Sequence, residues 1–228
     1  MEYTETLMWK ELNEAPGVLQ TLKDKNAAVL KGIAASVGAA GVDNVYTAAR
    51  GTSDHAMIYF KYLAESLLGL PVASGAPGVF TLYGGKVNLK NSLVIGCSQS
   101  GRAEDVMEVL KAANASGGIT VAITNDAASP LAKLAQFHLC CYAGEEKSVA
   151  ATKTFSAQIF LSLLLVQALG GEIEANDLGK KLASELAEIG RTTDGIAEDF
   201  IAVQECFVLA RSISSAIAFE CGIRARAY

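Results

Sequence analysis

Short apolar runs alternate along the chain with longer stretches whose apolar residues recur at helical spacing. Ser92–Cys97 (SLVIGC) and Ile119–Thr124 (ITVAIT) are compact apolar runs and predict strands. Residues 42–49, 70–74 and 137–142 predict three more. Helices are predicted over 55–68, where Met57, Phe60, Leu63, Ala64 and Leu67 share a face, and over 103–115, 129–135 and 149–169. Ahead of them, residues 8–12 read as a helix. Glu14-Ala15-Pro16 then reads as a cap, with Pro16 in the first turn of a second helix reaching Val37. Continuous apolar strands are buried on both faces, and their alternation with helices predicts an α/β fold built on a doubly wound parallel sheet. In such sheets ligands lie beyond the carboxyl ends of the strands.

The pattern shifts after Gly170-Gly171. Residues 176–190 predict an amphipathic charged helix, and 192–203 another. Residues 205–212 predict a strand and loop, and 214–227 the helix after it. This order repeats the earlier strand, Gly51-Thr52-Ser53 loop and helix. The expectation is therefore a first unit over 1–190 and the opening strand and helix of a second, incomplete unit over 191–228.

Composition narrows the function. The chain has 228 residues, 51% of them hydrophobic and 19% charged, with four Pro, which excludes global disorder. The net charge is -5 and no basic run exceeds two residues, so nucleic acid is not expected as a partner. The acidic start, Met1-Glu2-Tyr3-Thr4-Glu5, is not a signal peptide, and the apolar run 159–169 is too short to span a membrane. Five Cys, an odd number with no CxxC pair, predict buried thiols in a reducing cytoplasm. His55 and His138 are the only imidazoles, so no metal site is expected.

The loops after the strands carry the chemistry. Gly51-Thr52-Ser53, alone, reads as an ordinary helix cap. Neither GxGxxG nor a P-loop occurs. Ser98-Gln99-Ser100-Gly101-Arg102 is denser: hydroxyls, an amide and a glycine stand where a helix begins, and free N–H groups there favour an anion. Arg102 reads equally as a further donor or as a solvated side chain. Thr124-Asn125-Asp126, followed by Ser129-Pro130, reads as a turn and a cap. The loop 143–154 ends in Val149-Ala150-Ala151-Thr152-Lys153, small residues that let a ligand approach the backbone.

GTS at 51–53, SQSG at 98–101, TN at 124–125 with SPLA at 129–132, and EEKSVAATKTF at 145–155 together resemble the sugar isomerase (SIS) domain family. Within it the chain is similar to two-domain phosphosugar isomerases, such as the isomerase half of glutamine–fructose-6-phosphate aminotransferase, and to SIS-type glucosamine-6-phosphate deaminases. The resemblance implies a five-stranded flavodoxin-like parallel sheet and a sugar-phosphate ligand. It implies no cofactor, and a homodimer. It places the phosphate loop on Ser98, Gln99, Ser100 and Gly101, with Arg102 beside it. Gly51, Thr52 and Ser53 fall on a second binding loop, and Val149, Ala150, Thr152 and Lys153 on the sugar-facing helix start. It places one catalytic carboxylate on Glu220 and the proton-shuttling carboxylate of relatives on Ala227. Ala103 and Ala151 stand where relatives carry hydroxyls, and Ile223-Arg224-Ala225-Arg226 replaces a Leu-Lys-Leu-Lys run. Glu145 and Glu146 are rival bases. The resemblance thus implies a phosphosugar isomerase or deaminase as the whole protein, with a non-catalytic sugar-phosphate sensor as the alternative. The chain as it stands is expected to bind without useful turnover.

Overall fold

A computed structural model describes residues 3–192, 203 and 205–226. Five parallel strands form one sheet: β1 (Asn44–Ala48), β2 (Val72–Ser74), β3 (Ser92–Cys97), β4 (Ile119–Thr124) and β5 (Phe137–Cys140). Their order is β2-β1-β3-β4-β5, so the strand order reverses at β1 and β3. Val45 lies opposite both Val72 and Leu93, and Leu93 opposite Ile119. The central strands β3 and β4 are buried at every position.

Helices cover both faces. On one lie α1 (Leu7–Ala40), α2 (Thr52–Leu68) and α6 (Lys153–Ala168). Leu22, Ile33, Phe60 and Leu161 from these helices pack on Val45, Ile95, Val121 and Leu139 of the sheet. On the other lie α3 (Gly78–Thr81), α4 (Glu104–Ser116) and α5 (Pro130–Leu134). There Val109, Leu110 and Leu131 cover Ala48, Val94 and Ala122. Strand residues alternate between the two cores, as the two-residue period of a strand requires. α7 (Leu178–Thr192) packs along α1, and α8 (Ser215–Arg226) rests on α2. Among the described residues no helix is long and apolar enough to cross a membrane.

Of the five Cys expected to be buried, Cys206 and Cys221 are exposed, and three expectations of secondary structure are corrected. The chain does not break before Pro16: α1 is one helix of 34 residues with Pro16 inside it. Proline removes one N–H from the ladder, but Glu11 and Ala15 before it and Leu19, Leu22, Leu30 and Ile33 after it keep one face buried across that loss. Asn26 fastens the same face to the sheet. Its Nδ2 donates to Cys140 O at 3.1 Å and its Oδ1 accepts from Cys140 N at 3.0 Å, which satisfies the exposed edge of β5. The last long helix of the sheet begins at Lys153, not at Val149, because the preceding residues are held as a loop by side-chain carboxylates described below. Residues 205–211 form no strand; Phe207 and Leu209 are exposed and, among the described residues, no strand offers them a ladder. The helix after them is present as α8. The helix expected over 192–203, and Ala227, lie outside the described residues.

Candidate functional site

Three loops converge at the carboxyl ends of the strands. The first follows β1. Gly51 turns the chain with φ +54° and ψ −132°, a conformation that needs glycine, and its carbonyl accepts from Asp54 N and His55 N at 2.9 and 3.1 Å. Thr52 therefore opens α2.

The second loop follows β3 and is pinned on every side. Ser98 N donates to Ile123 O at 3.0 Å, and Gly101 N to Ser98 O at 3.1 Å. Leu131 N donates to Gly101 O, and Asn125 N to Gln99 O. Gly101 has φ +62° and sits against Ser129, whose Oγ accepts from Ala132 N and caps α5.

The third loop, 141–152, is built on two buried or half-buried carboxylates. Glu146 accepts from Thr152 N at 2.9 Å, Thr152 Oγ1 at 3.1 Å, Thr154 N at 3.2 Å and Thr154 Oγ1. It thus satisfies the free donors at the start of α6. Glu11, buried on α1, accepts from Lys147 N at 2.5 Å, Ser148 N at 3.1 Å and Ser148 Oγ. Burial alone pushes the Glu11 carboxyl up, but these donors and the nearby Lys153 ammonium outweigh it and hold it below the usual carboxylate range.

Between the loops lies a cleft of about 340 Å³. Arg50, Thr52 and Ser53 form one wall, and Gln99 another. Val149, Ala150, Ala151, Thr154 and Gln158 form the third, and Glu220 closes it from α8. Glu220 is 4% exposed at its side chain. Its Oε1 accepts from Thr52 Oγ1 at 3.1 Å, and its Oε2 lies 2.9 Å from His55 Nδ1. Ser53 Oγ accepts from Gln158 Nε2 at 3.1 Å. Gln158 Oε1 is buried with no protein partner among the described residues. Behind this wall the Cys97 thiol is pushed up to about 12 by burial, despite a hydrogen bond with Ser53, so it is no nucleophile.

Of the residues singled out in the sequence, the cleft brings together Thr52, Ser53, Gln99, Val149, Ala150 and Glu220. Gly51 supplies the turn beneath Thr52. Ser98, Ser100 and Gly101 shape the loop that presents Gln99 but do not line the cleft. Arg102 is turned away: its guanidinium pairs with Asp126 at 3.5 Å and is 69% exposed. Thr152 faces Glu146, and Lys153 donates to Glu14 Oε2 at 2.5 Å. Of the rival bases, Glu146 is committed to the start of α6, and Glu145 pairs with Lys147 at 3.2 Å in solvent. Among the described residues no cluster of metal-binding side chains occurs. Sequence reasoning missed Arg50, Thr154 and Gln158 as wall residues. The signal for the last two was present: polar residues four apart on a mostly apolar helix share a face.

Residues 40–168 match the SIS domain family model. The chain belongs to the SIS domain family. It is 36% identical over 84% of its length to glutamine–fructose-6-phosphate aminotransferase (isomerizing) of Methanothermobacter thermautotrophicus, and spans 31% of that protein. The SIS chain thus covers about a third of the length of the aminotransferases it matches. Among solved structures, a protein of Silicibacter pomeroyi provisionally named a phosphosugar isomerase superposes with a TM-score of 0.87 at 35% identity. The match covers 96% of this chain and 67% of that one. The C-terminal domain of glucosamine-fructose-6-phosphate aminotransferase from Francisella tularensis has the same fold, with a TM-score of 0.74 at 22% identity. That match covers 95% of this chain and 65% of that domain's chain. The five-stranded SIS sheet expected from the sequence is the sheet observed.

Proposed function

We propose that this chain binds a sugar phosphate in the cleft, and that the protein it represents isomerises a ketose or aldose phosphate or deaminates an amino-sugar phosphate. The carrying observation is the convergence of Thr52, Gln99, the Val149-Ala150 backbone and Glu220 on one cleft of fragment size. α2 starts at its wall, so the positive end of its dipole favours an anion there, whereas the donors at the start of α6 are taken by Glu146. The phosphate takes that end. Glu220, a carboxylate, takes the sugar end, where hydroxyl and amino donors are offered and where a proton is moved between carbons. Two relatives are named for fructose-6-phosphate, which agrees with this reading.

Fructose-6-phosphate and glucosamine-6-phosphate are expected to bind saturably in calorimetric titrations. Gln99→Ala should weaken them about five- to tenfold, the loss of one hydrogen bond to a charged ligand, with little change in thermal stability. Absence of saturable binding by both sugars would overturn the proposal. The chain as it stands should bind without useful turnover in a coupled assay, and turnover of about 1 s⁻¹ or more would place the base within it.

The same reading includes self-association. Phe207, Leu209 and Phe219 are exposed on and before α8, and large apolar side chains left exposed on one segment favour burial against a second copy about a two-fold axis. Sedimentation should show a homodimer that dissociates on dilution. A monomer at every concentration would count against it.

A further inference from the structure

His55 belongs to none of the loops singled out in the sequence, yet it contacts Glu220, the carboxylate that closes the cleft. We infer that His55 is a positioning residue: it fixes Glu220 as an acceptor for the sugar part of the ligand, so that the cleft distinguishes a sugar phosphate from bare phosphate. The inference rests on the sugar-phosphate reading above.

The geometry is a clamp. Thr52 and His55 stand three apart on α2, one turn of the same helix face. Each addresses a different oxygen of Glu220, at 3.1 and 2.9 Å. Two contacts to two oxygens fix the carboxylate plane as well as its position. The imidazole is itself held. Phe219, the neighbour of Glu220 on α8, stacks on it with ring centroids 5.7 Å apart and planes 26° from parallel. The ring is therefore gripped from two adjacent residues of the helix it anchors.

The role of the imidazole follows from burial. A carboxylate that is 4% exposed needs donors at fixed positions. Thr52 Oγ1 supplies one and His55 Nδ1–H another. This requires the tautomer with the proton on Nδ1. His55 does not line the cleft, so it acts through Glu220. Glu220 then presents lone pairs to ligand hydroxyls. Inorganic phosphate offers no such polyol donors and gains little from a fixed carboxylate. Removing His55 should therefore cost affinity for the sugar phosphate and spare affinity for phosphate. Losing a hydrogen bond to a charged group commonly costs about tenfold or more.

The test uses the 228-residue chain, fructose-6-phosphate and inorganic phosphate. His55→Ala should weaken fructose-6-phosphate about tenfold while phosphate stays within about twofold. His55→Asn, whose Nδ2–H takes the place of Nδ1–H, should recover the wild-type ratio to within about threefold. An unchanged ratio in His55→Ala, or equal loss of both ligands, overturns the inference. The second readout needs no ligand. The chain has two histidines, so nitrogen-15 spectra resolve each imidazole, with His138→Ala making the assignment. His55 should be the Nδ1–H tautomer when neutral, and that preference should vanish in Glu220→Ala. An Nε2–H tautomer, or one indifferent to Glu220, overturns the inference. Should the wild type bind neither ligand, the proposed function falls, and the tautomer alone decides whether His55 positions Glu220.

Discussion

Gly101→Ala is expected to cost about 3 kcal/mol of stability and to disorganise the cleft with it. A left-handed conformation in a residue with a Cβ costs about 1–2 kcal/mol by itself, and Gly101 has φ +62°. A Cβ there would stand 2.2 Å from Ser129 Oγ and 2.5 Å from Ser129 Cβ. Neither is the end of a flexible chain. Ser129 is fully buried and its hydroxyl caps α5, so relief moves either the cap or the loop. The loop is the weaker partner, and it presents Gln99 to the cleft. For a domain of this size the loss corresponds to about 6–12 °C in Tm. Gly117→Ala is the control. Gly117 has φ +80° but nothing within 4 Å of a Cβ, so only the backbone cost remains, about 1–2 kcal/mol. Thermal unfolding of the two variants should separate the terms. Equal losses would mean that the contact with Ser129 contributes nothing.

The same residue shows how far the sequence was legible. Gly101 stood out because it follows an apolar strand beside two hydroxyls, and strands β3 and β4 were read to the residue because a fully buried strand is an unbroken apolar run. Ser129 before Pro130 was equally readable, since a cap followed by proline is a local signal. What failed was non-local. Pro16 predicts a helix boundary by local chemistry, and long-range burial against α6 and β5 overrides it. Thr152 and Lys153 looked like ligand residues until Glu146 and Glu14 were placed beside them. Glu14 lies 139 residues from Lys153, a separation no motif encodes. Residues 205–211 carry a strand's composition, but a strand is completed by a neighbour's backbone. The cleft was legible as three loops. The resemblance put a catalytic carboxylate on Glu220, but its closure of the cleft through Thr52 is non-local and is set by α8 resting on α2.

Glu11→Ala is expected to destabilise the protein by about 2 kcal/mol and to loosen the Val149-Ala150 wall of the cleft. Glu11 is one buried carboxylate that organises the end of a loop it does not belong to. It accepts from Lys147 N, Ser148 N and Ser148 Oγ, immediately before Val149. Hydrogen bonds to a charged group contribute about 1.5–3 kcal/mol each at best. The network lies at the rim, where the Lys147 side chain is 61% exposed, so the sum falls toward the value of a single bond. The pH dependence has a definite sign. The donors hold the folded carboxyl below its ordinary value of 4.5, so the folded state favours the ionised form. The contribution is fully present above that value and is lost as pH falls through the range below it. Glu11→Gln removes the charge and keeps the shape. Its stability should lie below wild type at neutral pH, and the gap should close as the solution is acidified. Chemical denaturation at a series of pH values reads this directly. A gap that stays constant down to acid conditions would show that Glu11 stabilises by packing rather than by its charge.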